Sequence, residues 1–260
     1  MNGRIRALLI VKQKNHMSPI TGFLLPFRGL SLIFKPGIRA YVLIPLLMNI
    51  TVFSGLAWVA GVYFEEFMGQ YLPEDSWFSF IRPLLWFIFA AAYALALFYS
   101  FTIIANLLAS PFNGVLAAKV EEKLTGKLPI GAELSIVASI APAISGELNK
   151  IAYFLKRAIP LFLLFIVSSF IPGLNLVVTL LWVLFGFWFL TIEYVDYSMG
   201  NYDITPQDQR SKLKKRRVQS FAFGAGVTVM MLIPILQFLA MPAAVAGGTK
   251  FWVDALKDID

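Results

Sequence analysis

Long uncharged apolar runs alternate with short charged segments along this chain. Ala40 to Phe64 carries no charge, and as a helix rising about 1.5 Å per residue it exceeds the roughly 30 Å hydrocarbon core of a bilayer. The segment after it holds Glu65, Glu66, Glu74 and Asp75 against one base, Arg82, with Tyr71 and Trp77 beside them. That is the make-up of a short outer loop with aromatic interface anchors. Pro83 to Ala118 is again uncharged and longer than a bilayer requires. Near its end, at NLLASPFNG (106–114), a long helix is expected to emerge and change character. Lys119 to Arg157 mixes charges with apolar residues at helical spacing, which predicts cytoplasmic amphipathic helices broken near Gly126 to Pro129. Ahead of all these, Ile20, Phe23, Leu24, Phe27, Leu30 and Phe34 recur mostly three or four apart, which predicts an interfacial amphipathic helix.

The last third repeats a design. Ala158 to Ile192 is uncharged, yet Ile171-Pro172-Gly173-Leu174-Asn175 divides it into arms of about 20 and 26 Å as helices, each short for a full crossing. Phe221 to Thr249 is divided in the same way at Ile233-Pro234-Ile235-Leu236-Gln237, and a basic cluster precedes each run. Two helical hairpins that dip into the membrane and return are expected, with a possible internal repeat behind them.

Charge fits this topology. If the two long helices cross once and both hairpins return to their starting side, Arg82 alone of the 22 Lys and Arg residues lies on the far side. A single crossing by Ala158 to Ile192 would instead translocate RSKLKKRR (210–217), against the positive-inside rule. Composition agrees: 58% of residues are hydrophobic, 14% are charged and mean hydropathy is +0.74, whereas soluble domains carry about a quarter charged residues. The fold class is an all-α integral membrane protein. It has two long transmembrane helices (about 40–64 and 83–118), cytoplasmic helices (about 119–157) and two intramembrane hairpins (about 158–192 and 221–249). Residues 18–258 form one membrane domain behind a basic cytoplasmic extension, 1–17. The net charge of +7 reads as a topology signal facing anionic membrane lipid rather than as a nucleic-acid surface.

The inventory for enzymatic chemistry is thin. Cysteine is absent, the single histidine is His16, and neither a phosphate-binding G-x-x-x-x-G-K-[S/T] loop nor a nucleophile elbow occurs. No enzyme activity, cofactor or metal is expected. No Asp or Glu lies inside the uncharged runs, so proton coupling would have to use boundary carboxylates such as Glu147, Glu193 or Asp196. Anion chemistry remains. Gly37, Ile38 and Arg39 precede the first long helix, whose starting N–H groups and the Arg39 guanidinium could cradle an oxyanion. Arg28 is a second contact, and the alternative for both bases is anchoring at the lipid headgroups. Asn49, Asn106, Asn113, Asn175 and Gln237 place carboxamides in apolar surroundings, where they line an anion path or join helices by hydrogen bonds.

GIR at 37–39, NLLASPFNG at 106–114, FIPGLN at 170–175, EYVDYSMGN at 193–201 and MLIPILQFLAMPAAVAGGTKFWVD at 231–254 together resemble the CysZ sulfate permeases, within a broader superfamily that has eukaryotic members. The similarity runs in order from about Ser18 to Asp258. The resemblance implies a bacterial inner-membrane sulfate or sulfite permease that feeds cysteine biosynthesis. It also implies cytoplasmic termini, homo-oligomers built on dimers and an oxyanion site at Gly37, Ile38 and Arg39. Ala40 follows where a second base is expected in many relatives, so Lys35 and Arg28 are the further contacts. A non-transporting membrane scaffold or regulatory protein is the alternative.

Overall fold

Ser18 opens the first of the described helices. Its hydroxyl accepts from the N–H of Thr21 at 3.1 Å, and Pro19 occupies the first turn, where a missing N–H costs nothing. The computed structural model describes residues 17–132, 135–234 and 236–259, with the side chains of 97–108 outside that set. The extension through His16 and the side chain of Asn106 therefore lie outside the described residues. The elements are α1 (Pro19–Ile33), α2 (Ala40–Tyr71), α3 (Arg82–Thr125), α4 (Ile136–Ser168), α5 (Leu174–Gly200), α6 (Pro206–Lys215), α7 (Arg217–Leu232) and α8 (Gln237–Phe251), and no strand occurs among the described residues. Four helical stretches are long and apolar enough to cross a membrane: Ala40–Tyr71, Ser79–Ala96, Ile136–Ser168 and Leu174–Gly200. Little of their apolar surface is covered by protein. Exposure on that scale requires lipid as the surrounding medium.

The chain divides into two compact units, one of Leu43–Ala109 and the other of the described residues on either side of it. In the Leu43–Ala109 unit, α2 and α3 run antiparallel. Phe64 stacks on Phe89 with ring centres 4.2 Å apart, and Tyr93 donates its hydroxyl to the Phe53 carbonyl at 3.1 Å. Arg82 closes the connection between the helices by donating to the Leu72 carbonyl at 2.8 Å and to Glu65 at 2.5 Å. The other Glu65 oxygen accepts from the Trp86 indole at 3.1 Å. The one base of the predicted outer loop is thus spent on the loop itself. Both helices outrun their uncharged stretches, ending at Tyr71 and Thr125 rather than near 64 and 118. Pro111 does not end α3, because Val115, Leu116, Ala117, Ala118 and Val120 beyond it are fully buried and packing outweighs one lost helical hydrogen bond.

In the other unit, α1 packs on α7 and α8, while α5 packs on α4, α7 and α8. Glycines make these approaches close. A Cβ on Gly29 would lie 1.9 Å from the Ala243 carbonyl oxygen, one on Gly226 2.1 Å from that of Phe23, and one on Gly224 1.9 Å from that of Phe187. Such backbone-to-backbone contact is how helices associate where lipid offers side chains no hydrophobic reward. It also sets which face of α1 is buried in protein. Gly22, Leu25, Gly29, Leu32 and Ile33 are buried, whereas Ile20, Leu24 and Phe34 are exposed. The seam follows the small residues rather than the aromatic stripe.

Both proline turns are present, one at 169–173 with Gly173 in the left-handed region at φ +82°, the other at Pro234 between α7 and α8. The arms around the first turn are longer than expected. α4 begins at Ile136 and passes through Arg157 without a break, so the predicted cytoplasmic helix and the first hairpin arm are one helix. At about 1.5 Å per residue, α4 and α5 reach roughly 50 and 40 Å, and each is long enough to cross a bilayer. Charge alone did not end α4, because Glu147 and Lys150 pair with each other and are buried against α5. The break predicted between Gly126 and Pro129 does occur, with Gly126 at φ +75°.

Candidate functional site

Residues 34–39 form the turn between α1 and α2. Gly37 takes φ +85°, a conformation that other residues adopt at a cost, and the space where its Cβ would lie is open. Ile38 points inward and is 2% exposed, which pins the turn to the core. Lys35 and Arg39 are exposed, as is Arg28 on α1, and none of the three has an ion-pair partner among the described residues. The amides are less free than the sequence suggests. Those of Ile38 and Arg39 donate to the Lys35 carbonyl, and those of Tyr41 and Val42 donate to Ile38 and Arg39. The free cationic side chains of Lys35 and Arg39, more than the start of α2, are what this turn offers an anion.

The carboxamides are dispersed. Asn175 sits in the first turn of α5, donating to the Ser169 hydroxyl at 3.2 Å and accepting from Thr179. Gln237 begins α8 and is exposed. Asn49, on α2, has a buried side-chain oxygen without a hydrogen-bond partner among the described residues. Asn113 is buried, and its side-chain nitrogen meets no hydrogen-bond partner of good geometry among the described residues. Among the described residues no hydrogen bond joins any two of these amides.

A second polar group is assembled inside the helices. Lys150 on α4 lies 2.8 Å from Glu147, 3.4 Å from Glu193 and 3.5 Å from Asp196, and 4.4 Å from the Tyr197 ring centre. One oxygen of Glu147 accepts from Ser110, Lys150 and Tyr197, each at 2.8 Å. The sequence pointed to the three carboxylates but missed Lys150, Ser110 and Tyr197. Spacing carried the signal: Glu147 and Lys150 are three apart, and Glu193, Asp196 and Tyr197 recur at helical steps of three and one, so each set shares a helix face. Three carboxylates around one ammonium offer an incoming anion no net positive charge. The arrangement fastens α4 to α5 and suits holding a proton rather than binding a dianion. Lys150 takes the place a metal ion would need, and no metal-holding cluster of His, Asp and Glu side chains occurs among the described residues.

A third polar group ties the C-terminal segment down. Glu121 on α3 is 1% exposed and accepts from Tyr202 at 2.6 Å and Lys257 at 2.8 Å. Burial alone would push the Lys257 ammonium down, but its hydrogen bonds to Glu121 and Tyr202 outweigh that and hold its pKa above the ordinary 10.5.

The family described as Sulfate transporter CysZ/Etoposide-induced protein 2.4 matches residues 25–242. The chain belongs to this family. It is 42% identical over 228 residues to the Sulfate transporter CysZ of Pseudomonas fluorescens strain Pf0-1, covering 86% of this chain and 90% of the relative. It is 39% identical over 236 residues to the Sulfate transporter CysZ of Pectobacterium atrosepticum, covering 90% and 84% respectively. To the protein of that name in Pseudomonas aeruginosa LESB58 it is 38% identical over 228 residues. The match includes the turn at 34–39, the buried cluster and both proline turns.

Proposed function

We propose that this chain is a sulfate permease of the bacterial inner membrane, taking up sulfate or sulfite for cysteine biosynthesis without hydrolysing ATP. The observation that carries this reading is near-full-length similarity to relatives named Sulfate transporter CysZ. Arg39 and Lys35, exposed and without ion-pair partners among the described residues beside the open Gly37, gather the dianion, and Arg28 adds to the field. A dianion cannot enter hydrocarbon bare, so its path is hydrated and lined by dipoles, with Asn49, Asn106, Asn113, Asn175 and Gln237 as the amides available to it. The helix pairs α4/α5 and α7/α8 return to the side they start from, which keeps RSKLKKRR and both termini cytoplasmic. The protein assembles as a homo-oligomer built on dimers.

Counterflow of labelled sulfate in proteoliposomes tests the reading. Protein-dependent exchange is expected, and its absence overturns the proposal. Arg39→Ala is expected to weaken sulfate binding more than chloride binding. Equal loss of both identifies a nonspecific basic surface. Deletion of the gene should be rescued by thiosulfate, which bypasses sulfate entry, whereas a scaffold role would leave the defect in place.

A further inference from the structure

Away from the 34–39 turn and the buried cluster, α4, α5, α6 and α7 enclose an open groove of about 490 Å³. That volume is within the roughly 300–1,000 Å³ of small-molecule sites. Leu181, Leu184, Trp188 and Phe221 supply its apolar floor, and Arg157, Lys214 and Arg217 its rim. All three cations are exposed, and none has a carboxylate partner among the described residues. The wall between them is stiffened by aromatic contacts. The Arg157 guanidinium stacks 3.9 Å from the Tyr153 ring centre, and the Trp188 indole donates to the Tyr153 hydroxyl at 3.1 Å.

The placement of charge against apolar surface identifies the occupant. Arg157 is the last charged residue before the uncharged run through α4 and α5, and Arg217 is the last before the run through α7 and α8. The rim therefore stands where the membrane-facing apolar surface begins, the depth of lipid headgroups. Phe154 stacks on Phe185 and meets Phe189 at a tilt, which sets the level of the antiparallel α4 and α5. Leu181 accordingly lies a helical turn beyond Arg157 toward the 169–173 turn. The floor runs from the cations into the apolar zone, the direction of an acyl chain below its phosphate. A free inorganic anion has no use for this floor, and a neutral lipid has no use for three unpaired cations.

We propose that the groove is a binding site for an anionic phospholipid. Arg157, Lys214 and Arg217 hold its phosphate, and one acyl chain lies on Leu181, Leu184 and Phe221. The test uses the full chain in nanodiscs containing equal phosphatidylglycerol and phosphatidylcholine of identical chains, followed by native mass spectrometry of the lipid that stays bound. The expected result is about a tenfold preference for phosphatidylglycerol, in keeping with a few bases acting on one headgroup. Arg157→Gln, Lys214→Gln and Arg217→Gln together bring the ratio to parity, and the charge-conserving pair Arg157→Lys, Arg217→Lys keeps it. Leu184→Trp removes no charge but fills the floor, and it too is expected to release the lipid. Parity in the parent protein, or an unchanged preference in either the triple variant or Leu184→Trp, overturns the proposal. Displacement of the lipid by millimolar sulfate at equal ionic strength, relative to chloride, also overturns it and identifies the groove as a gathering point for the free anion.

Discussion

Replacing Lys150 with methionine keeps an unbranched side chain but removes the ammonium that three carboxylates share at 2.8, 3.4 and 3.5 Å. Lys150 and the carboxylates of Glu147 and Glu193 are all at least nine-tenths buried, so water cannot fill the role. At an effective dielectric near 20, one such pair at about 3–4 Å attracts by roughly 4–6 kcal/mol before desolvation is counted. Deleting one partner of a buried pair costs about 3–5 kcal/mol net, because the survivors are left uncompensated. For a chain of this length about 2–4 °C is lost per kcal/mol, so Lys150→Met should lower the unfolding midpoint by roughly 6–20 °C. Thermal unfolding in detergent, followed by tryptophan fluorescence, measures it. Adding Glu193→Gln to Lys150→Met should return part of the loss, since two carboxylates then face each other instead of three. A midpoint within about 2 °C of the parent would refute the view that this ion group fastens α4 to α5.

Gly29→Ala places a methyl 1.9 Å from the Ala243 carbonyl oxygen, and real Cβ contacts essentially never fall below 3.0 Å, so α1 and α8 must part. Overpacking of this kind costs about 1–3 kcal/mol or more, and a lowered unfolding midpoint should report it. Gly37→Ala meets open space but takes a strained φ, so the expected loss is about 1–2 kcal/mol with α1 packing intact, read as a smaller midpoint shift than that of Gly29→Ala. Because the Lys257 pKa is held above 10.5 in the folded protein, its tie to Glu121 is intact at neutral pH and is lost as pH rises through that higher value. Lys257→Met should therefore flatten the fall in stability seen in alkaline titration. Equal slopes in parent and variant would contradict the assignment.

Hydropathy located the apolar helices well because lipid-facing surface must be uncharged, and that constraint leaves a direct mark on the sequence. Both proline turns were legible for a similar reason, since Pro172 and Pro234 cannot continue a helix without forfeiting hydrogen bonds. Helix ends were not. The uncharged stretch measures the membrane, whereas α2 and α3 continue beyond it on packing and on ties such as Glu65 with Arg82. The first hairpin was read as short because Glu147, Lys150, Lys156 and Arg157 looked like a cytoplasmic segment. Burial of Glu147 and Lys150 against Glu193 depends on the fold of a second helix, which no local window contains. The turn at 34–39 was legible as a cationic corner, but the internal use of its amides was not.

The glycine contacts along α1, α5, α7 and α8 bear on how the gene can change. Glycine is the smallest residue, so every replacement at Gly29, Gly224 or Gly226 adds atoms where a carbonyl oxygen already lies closer than a Cβ can approach. No conservative neighbour exists for drift to explore. Outside the groove floor of Leu181 and Leu184, the exposed leucines and valines of α4 and α5 are interchangeable apolar surface. A saturation library of this protein would therefore invert the usual expectation: tolerance would be broad across the greasy exterior and near zero at a handful of positions without any side chain. Cysteine probes for accessibility or cross-linking studies belong on that exterior, since a single thiol in the seam would report a distorted molecule.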